Sequence, residues 1–159
     1  MGSTLMKLII MRHGEAVPDF MNDDARVLTE RGQAQAGAQA MRLEQLCPKV
    51  DVLAVSPLIR TQQTADIASK LLEVKKRESY EALVHSKTAL EAEACISALE
   101  GETLLVVSHM PLVASLESYL CTGDASGGDA FNVAEMTLLE TDDPYPGNWR
   151  CVGRYRAEC

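Results

Sequence analysis

The chain has 159 residues, 47% of them hydrophobic and 24% charged, a length and balance that allow one closed core and exclude a disordered chain. Its formal net charge of −8 has the wrong sign for a protein that gains affinity by neutralising phosphates, which excludes nucleic acid and anionic membrane surfaces as general partners. An anionic substrate then requires a local pocket of basic residues in an acidic body.

Leu5 to Met11 is a short apolar run, the pattern of a strand buried on both faces. A polar loop leads to Thr29, a helix cap ahead of Glu30. Ala34, Ala38, Met41 and Leu46 predict the apolar stripe of a helix that Pro48 ends. Val50 to Val55 predicts a second buried strand. Ser56 and Pro57 predict a helix start, with Ser as cap and Pro where no amide donor is missed. Ala65, Ala68 and Leu72 mark that helix's inner face. The charged stretch Glu73 to Arg77 predicts an exposed turn, and Tyr80 to Val84 a short strand. Leu90, Ala94 and Ala98 predict the inner face of a helix over Thr88 to Leu99. Thr103 to Val107 predicts the central strand, followed by a helix through Leu112, Val113, Leu116 and Leu120. Thr122 to Asp129, rich in Gly and Asp, predicts a mobile loop, and segments near Ala134 to Leu139 and Asn148 to Tyr155 complete the sheet. No linker, repeat or low-complexity tract divides the chain, so a single domain is expected. Alternating strands and helices predict a three-layer α/β/α sandwich around a mostly parallel sheet.

The five cysteines are odd in number, with no C-x-x-C and no Cys/His cluster of zinc-site spacing, which reads as reduced thiols in a cytosolic protein. Leu8 to Met11 is too short for a signal-peptide core or a membrane span. With no targeting segment, a cytoplasmic location is expected. Residues Met1 to Leu5 precede a second methionine, Met6; they read as disordered, vector-derived or the product of an alternative start.

In an α/β sheet of this kind ligands bind beyond the carboxyl ends of the strands. The first strand ends in Arg12-His13-Gly14-Glu15, the second in Ser56-Pro57 with Arg60 soon after, and the central one in Ser108-His109-Met110-Pro111. Two of the three histidines thus fall on one sheet edge with two arginines beside them. A neutral imidazole attacks phosphorus, and the resulting phosphoramidate is labile to water. Gly14 lets the backbone come close to a ligand. Arg12 and Arg60 offer planar, permanently charged forks for phosphoryl oxygens. His109, and the Met110 amide at a helix mouth, offer further donors. Each residue alone also has a structural reading; their convergence on one edge points to phosphoryl chemistry. His85 lies in a loop without pattern and reads as solvent-exposed. Asp23, Asp24, Asp142 and Asp143 read as solvated loop charges, not spaced among histidines as metal ligands are. No metal and no cofactor are expected.

These residues resemble the sequence blocks of the histidine phosphatase superfamily, which includes the phosphoglycerate mutases and many phosphatases. Arg12-His13-Gly14-Glu15 matches its signature; Ser56-Pro57-Leu58-Ile59-Arg60-Thr61-Gln62-Gln63-Thr64-Ala65 and Val107-Ser108-His109 match its second and third blocks. Leu28-Thr29-Glu30-Arg31-Gly32 resembles the start of its first long helix. The short length, the run Ser108-His109-Met110-Pro111-Leu112-Val113 with Leu120-Cys121, and the closing Asn148-Trp149 are similar to the bacterial SixA-type phosphohistidine phosphatases. The resemblance implies a phosphoglycerate mutase-like fold, with His13 as the phosphorylated nucleophile and Arg12, Arg60 and His109 forming the phosphate pocket. It also implies a substrate that is a phosphohistidine on a phosphorelay protein, such as a histidine phosphotransfer domain.

The chain departs from that pattern in Ser79-Tyr80-Glu81-Ala82-Leu83-Val84-His85. Ala82 stands where SixA-type proteins carry a glutamate, with Glu81 one position early; Glu81 and Glu15 remain the candidate acids. Imidazole, with a pKa of roughly 6.5, leaves far more readily than a sugar alkoxide, so the missing acid favours phosphohistidine over phosphomonoesters. A small-molecule phosphomonoesterase and a non-catalytic phosphohistidine-binding module are the rival readings, and a mutase is less favoured because it needs a closed pocket.

Overall fold

The computed structural model describes residues 5–19 and 21–157. The expectation for residues 1–5 therefore lies outside the described residues except at Leu5, which is exposed.

Six strands form one sheet: β1 (Met6–Arg12), β2 (Lys49–Val55), β3 (Glu73–Ser79), β4 (Thr103–Ser108), β5 (Met136–Thr141) and β6 (Arg150–Tyr155). Their order is β3-β2-β4-β1-β5-β6, with β3, β2, β4 and β1 mutually parallel and β5 and β6 antiparallel. Four helices flank it: α1 (Glu30–Leu46), α2 (Ile59–Leu71), α3 (Ala89–Ser97) and α4 (Leu112–Thr122). Because successive strand residues face opposite sides, β1 divides its side chains between two cores. Leu8 and Ile10 pack with Ile96 of α3 and Leu112 and Leu116 of α4. Ile9 and Met11 pack with Ala40 and Leu43 of α1 and Ala65 and Ala68 of α2. This is the expected α/β/α sandwich, and it explains why β1 and β4 read as unbroken apolar runs. Among the described residues, no helix is long and apolar enough to cross a membrane.

Several expectations are corrected. Glu73 to Arg77 is not a turn but most of β3, the outermost strand, paired in parallel to β2. Its charged side chains suit an edge, where lysines deter further strand pairing, and so hide the strand pattern. Tyr80 to Val84 is not a strand; Glu81–Leu83 forms a turn of 3₁₀ helix. Ser56 does not cap α2, whose cap position is Leu58, because the Ser56 side chain is drawn to His109 instead.

The inner faces of α1 and α3 also differ from expectation. Ala34, Ala38, Met41 and Leu46 of α1 are exposed, while Gly32, Gln35, Ala36, Gln39, Ala40 and Leu43 face inward. Two inward positions are glutamines that bond the backbone: Gln35 Oε1 accepts from the Glu15 amide at 2.9 Å, and Gln39 Nε2 donates to the carbonyls of Ala134 (2.8 Å) and Tyr155 (2.7 Å). A stripe read from apolar residues alone misses a face built on satisfied polar groups. In α3, Leu90, Ala94 and Ala98 are exposed and Ala89, Ala92 and Ile96 are buried. The start of α3 is as expected: Thr88 caps it in a reciprocal box with Glu91.

The first turn of α1 braces the loop after β1. Thr29 caps α1 through the Gly32 amide and donates its hydroxyl to Glu15 Oε1 at 2.9 Å. A Cβ on Gly32 would collide with the Glu15 carbonyl, whereas one on Gly37, mid-helix, meets nothing within 4 Å. Urea denaturation is therefore expected to show Gly32→Ala destabilised by about 1–3 kcal/mol and Gly37→Ala stabilised by up to about 1 kcal/mol.

Candidate active site

The parallel register sets the site. Arg12 of β1 is paired with Ser108 of β4, and Val55 of β2 with Val107. The next residues of β1 and β4, His13 and His109, therefore emerge side by side, and Ser56, which follows Val55, emerges one residue earlier, level with Ser108. Backbone bonds lock the exits: the His13 amide donates to the Ser108 carbonyl and the Ser56 amide to that of Val107, both at 3.1 Å.

His13 and His109 are buried, with ring centroids 5.3 Å apart. His13 Nδ1 lies 2.7 Å from the Gly14 carbonyl. A carbonyl only accepts, so Nδ1 carries the proton and Nε2 keeps its lone pair. His109 Nε2 lies 2.7 Å from Ser56 Oγ, which also accepts from the Leu58 amide at 3.4 Å. Because Oγ already accepts from the Leu58 amide, we assign its hydroxyl as the donor to Nε2, which puts the proton of His109 on Nδ1. That atom is buried and has no partner among the described residues.

Arg12 Nη1 donates to the Phe131 carbonyl at 2.8 Å. Arg60 Nη1 donates to the Asp23 carbonyl at 2.9 Å, and its Nη2 meets Asp23 Oδ2 at 3.2 Å. Each arginine leaves a buried Nε without a partner among the described residues. The site thus presents three buried, unanswered donors, Arg12 Nε, Arg60 Nε and His109 Nδ1, beside one imidazole lone pair. Buried donors of this kind are costly unless a ligand answers them.

The electrostatics follow. Burial, partly offset by the Gly14 hydrogen bond and then reinforced by Arg12, Arg60 and Arg26, pushes His13 down to about 4. Burial, then His13 and Arg60, pushes His109 down to about 2. Both are neutral at pH 7. Burial, then Arg26 and Arg60, also lowers the Arg12 guanidinium, but arginine still remains charged.

The arginines are held by a deeper network. The Arg12 amide donates to the Glu135 carbonyl at 3.0 Å and the Ala134 amide to the His13 carbonyl at 2.8 Å. Ala134 has φ 58, a left-handed conformation uncommon without glycine. Glu135, 1% exposed, holds the Asn132 amide (2.9 Å) and Arg154 (2.6 Å); Arg154 also reaches Glu117 and lies over the Phe131 ring. The loop that receives Arg12 is therefore tied from behind by a buried ion-pair network.

All four residues expected at the site, Arg12, His13, Arg60 and His109, converge. Met110 lies just before α4, as expected. Glu15 is engaged by Thr29, and Glu81 is exposed. Three residues were missed. Residues 21–28 lie over the edge so that Arg26 Nη1 meets Asp23 Oδ1 at 3.2 Å, and His85 Nε2 meets Asp23 Oδ2 at 3.4 Å. His85, read as a solvent-exposed loop residue, lies with its ring 5.5 Å from that of His109. Asp23, read as a solvated charge, is the hub of Arg60, Arg26 and His85; against the upward push of burial, these hold its carboxyl below the usual carboxylate range. Only the pairing across the fold could reveal them, since nothing in their local sequence marks them. Asp142 and Asp143 are exposed, as expected.

Asp23, Asp24 and His85 bring ligand atoms within 4.8 Å of one another, a proximity the sequence spacing conceals. Both Asp23 oxygens already face arginines, and that positive surrounding opposes a cation.

Comparison with known proteins gives a consistent result. The model of the histidine phosphatase superfamily (branch 1) matches residues 8–84. The phosphohistidine phosphatase SixA of Escherichia coli K12 is 29% identical over 151 residues, covering 91% of this chain and 92% of that one. A SixA homolog of Haemophilus influenzae is 31% identical over 126 residues, covering 72% and 77%. A structure of the protein histidine phosphatase SixA complexed with tungstate superposes with a TM-score of 0.85 at 28% identity, covering 96% and 97%.

The buried imidazoles make stability pH-dependent. Unfolded, each titrates near 6.5; folded, only near 4 and 2. Below 6.5 the unfolded chain binds more protons, so stability falls as the pH drops. The melting temperature is expected to decline as the pH falls from about 6.5 towards 4. His13→Gln is expected to decline less steeply in the same thermal scans.

Proposed function

The chain belongs to the histidine phosphatase superfamily and is a phosphatase with a histidine nucleophile; from that premise we propose that His13 is this nucleophile and that its substrate is a phosphohistidine on a phosphorelay protein. The observation that carries the reading is the tautomer of His13. Nδ1 is tied to the Gly14 carbonyl, which leaves the Nε2 lone pair free in a site that also holds the His109 ring and the charges of Arg12 and Arg60.

The phosphoryl group binds with its oxygens on the donors of Arg12, Arg60 and His109. His13 Nε2 attacks phosphorus, forming a P–N bond as the bond to the leaving atom breaks. Water then attacks phosphorus, and the electron pair of the P–N bond returns to Nε2. Arginines and a neutral imidazole N–H stabilise the spread charge, so the reaction needs no metal. A structure of SixA is complexed with tungstate, a tetrahedral oxyanion like phosphate, which supports an oxyanion site in this fold. Phosphohistidine is favoured because Ala82 offers no acid and an imidazole leaves more readily than an alkoxide. The partner is a histidine phosphotransfer domain or similar protein, not nucleic acid or membrane. We place the reaction in the cytoplasm, where thiols such as Cys47, Cys95, Cys121 and Cys151 stay free.

The test incubates wild type and His13→Ala with a phosphohistidine-bearing phosphotransfer domain and, separately, with p-nitrophenyl phosphate, in EDTA. Wild type is expected to clear the phosphohistidine, and His13→Ala to lose on the order of 10³-fold or more. Rapid ester hydrolysis with an untouched phosphoprotein establishes a small-molecule phosphatase instead.

A further inference from the structure

We infer that His85 is the proton donor to the departing group in the first step and the acceptor of the water proton in the second; this rests on the phosphohistidine reading above. The two central imidazoles cannot serve. His13 is the nucleophile, and His109 is held neutral, pushed down to about 2 by burial and by its charged neighbours. Its Nδ1 proton is a hydrogen bond for the phosphoryl group, not a proton to give away. Carboxylic acids are not placed for it either: Glu15 is engaged by Thr29, Glu81 is exposed, and Ala82 has no acid.

His85 has what they lack. The rings of His13, His109 and His85 follow one another at centroid distances of 5.3 and 5.5 Å, and His85 is the outermost, with 37% of its side chain exposed. It is therefore, of the three, the imidazole open to a docked partner protein. Its place is built. The Ser108 hydroxyl, one residue before His109, donates to the Leu83 carbonyl at 2.6 Å and pins the 3₁₀ turn that precedes His85. Asp23 Oδ2, 3.4 Å from Nε2, gives a protonated His85 a counter-ion, and Arg60 holds the same carboxylate.

The protons balance. As His13 Nε2 bonds to phosphorus, the electron pair of the broken P–N bond stays on the leaving imidazole, which takes the proton of the His85 imidazolium and departs neutral. In the second step one proton of the attacking water passes to His85, the hydroxyl joins phosphorus, and hydrogen phosphate leaves. An imidazolium donating to an imidazole is a matched acid and base, so the chemistry of the donor suits this substrate better than a phosphomonoester.

The groups facing His85 are Asp23, Asp24 and His109, with Arg60 and Arg26 behind Asp23. The test compares wild type, His85→Gln and His85→Ala on the phosphoprotein and on p-nitrophenyl phosphate, whose leaving group departs without a proton. On the phosphoprotein, kcat/KM is expected to fall about 10²–10⁴-fold, with recovery of His85→Ala by added imidazole. For the ester, kcat/KM, which reports only the transfer to His13 from a leaving group that needs no proton, is expected to change by less than about threefold, while kcat falls with the second step; unchanged circular dichroism spectra show the variants folded. An unchanged phosphoprotein rate, or an equal loss of kcat/KM on both substrates, overturns the role of His85 alone. A wild type that leaves the phosphoprotein untouched overturns the phosphohistidine reading, and this inference with it.

Discussion

The site depends on one geometric constraint: the register of three neighbouring parallel strands. With Arg12 beside Ser108, His13 and His109 leave the sheet at the same height, and with Val55 beside Val107, Ser56 leaves one residue earlier, level with Ser108. A shift of one residue between β1 and β4 would put one histidine on the opposite face from the other. The sheet resists such a shift because both faces of β1, β2 and β4 are buried in separate cores. The order of the strands matters equally, since β4 lies between β1 and β2 and so places His109 between His13 and Ser56.

Around that edge the fold spends its hydrogen bonds on fixing protonation as well as position. One carbonyl sets the tautomer of His13, and the Ser56 hydroxyl holds Nε2 of His109. Burial keeps both rings uncharged. Arg12 and Arg60 are each held at their terminal nitrogens, by the Phe131 carbonyl and by Asp23, which leaves each Nε buried and without a partner among the described residues. The left-handed Ala134 and the buried Glu135–Arg154 pair stabilise the loop that receives Arg12. Strain and buried charge of this kind collect where a functional geometry must be held.

An acidic protein can thus carry a local pocket of positive charge. Arg12, Arg26 and Arg60 are gathered near the end of β1, with Asp23 and Asp24 beside them. Asp23 moderates the cluster, linking Arg60 and Arg26 to His85.

Much of this was legible in the residues themselves. Apolar runs marked β1, β2 and β4, because a strand covered on both faces carries that pattern; Arg12, His13 and His109 fell at or just past strand ends, and Arg60 in the first turn of α2. The cap at Thr29 was equally local. Only the tertiary structure decided the rest. Gln35 and Gln39 face inward because they meet backbone groups far along the chain, and β3 is a strand only because β2 lies beside it. Asp23, Arg26 and His85 join the site through a loop folding over the sheet edge. Sequence patterns report burial and local hydrogen bonding; a polar residue whose partner is distant in the chain carries no local mark until the fold brings the two together.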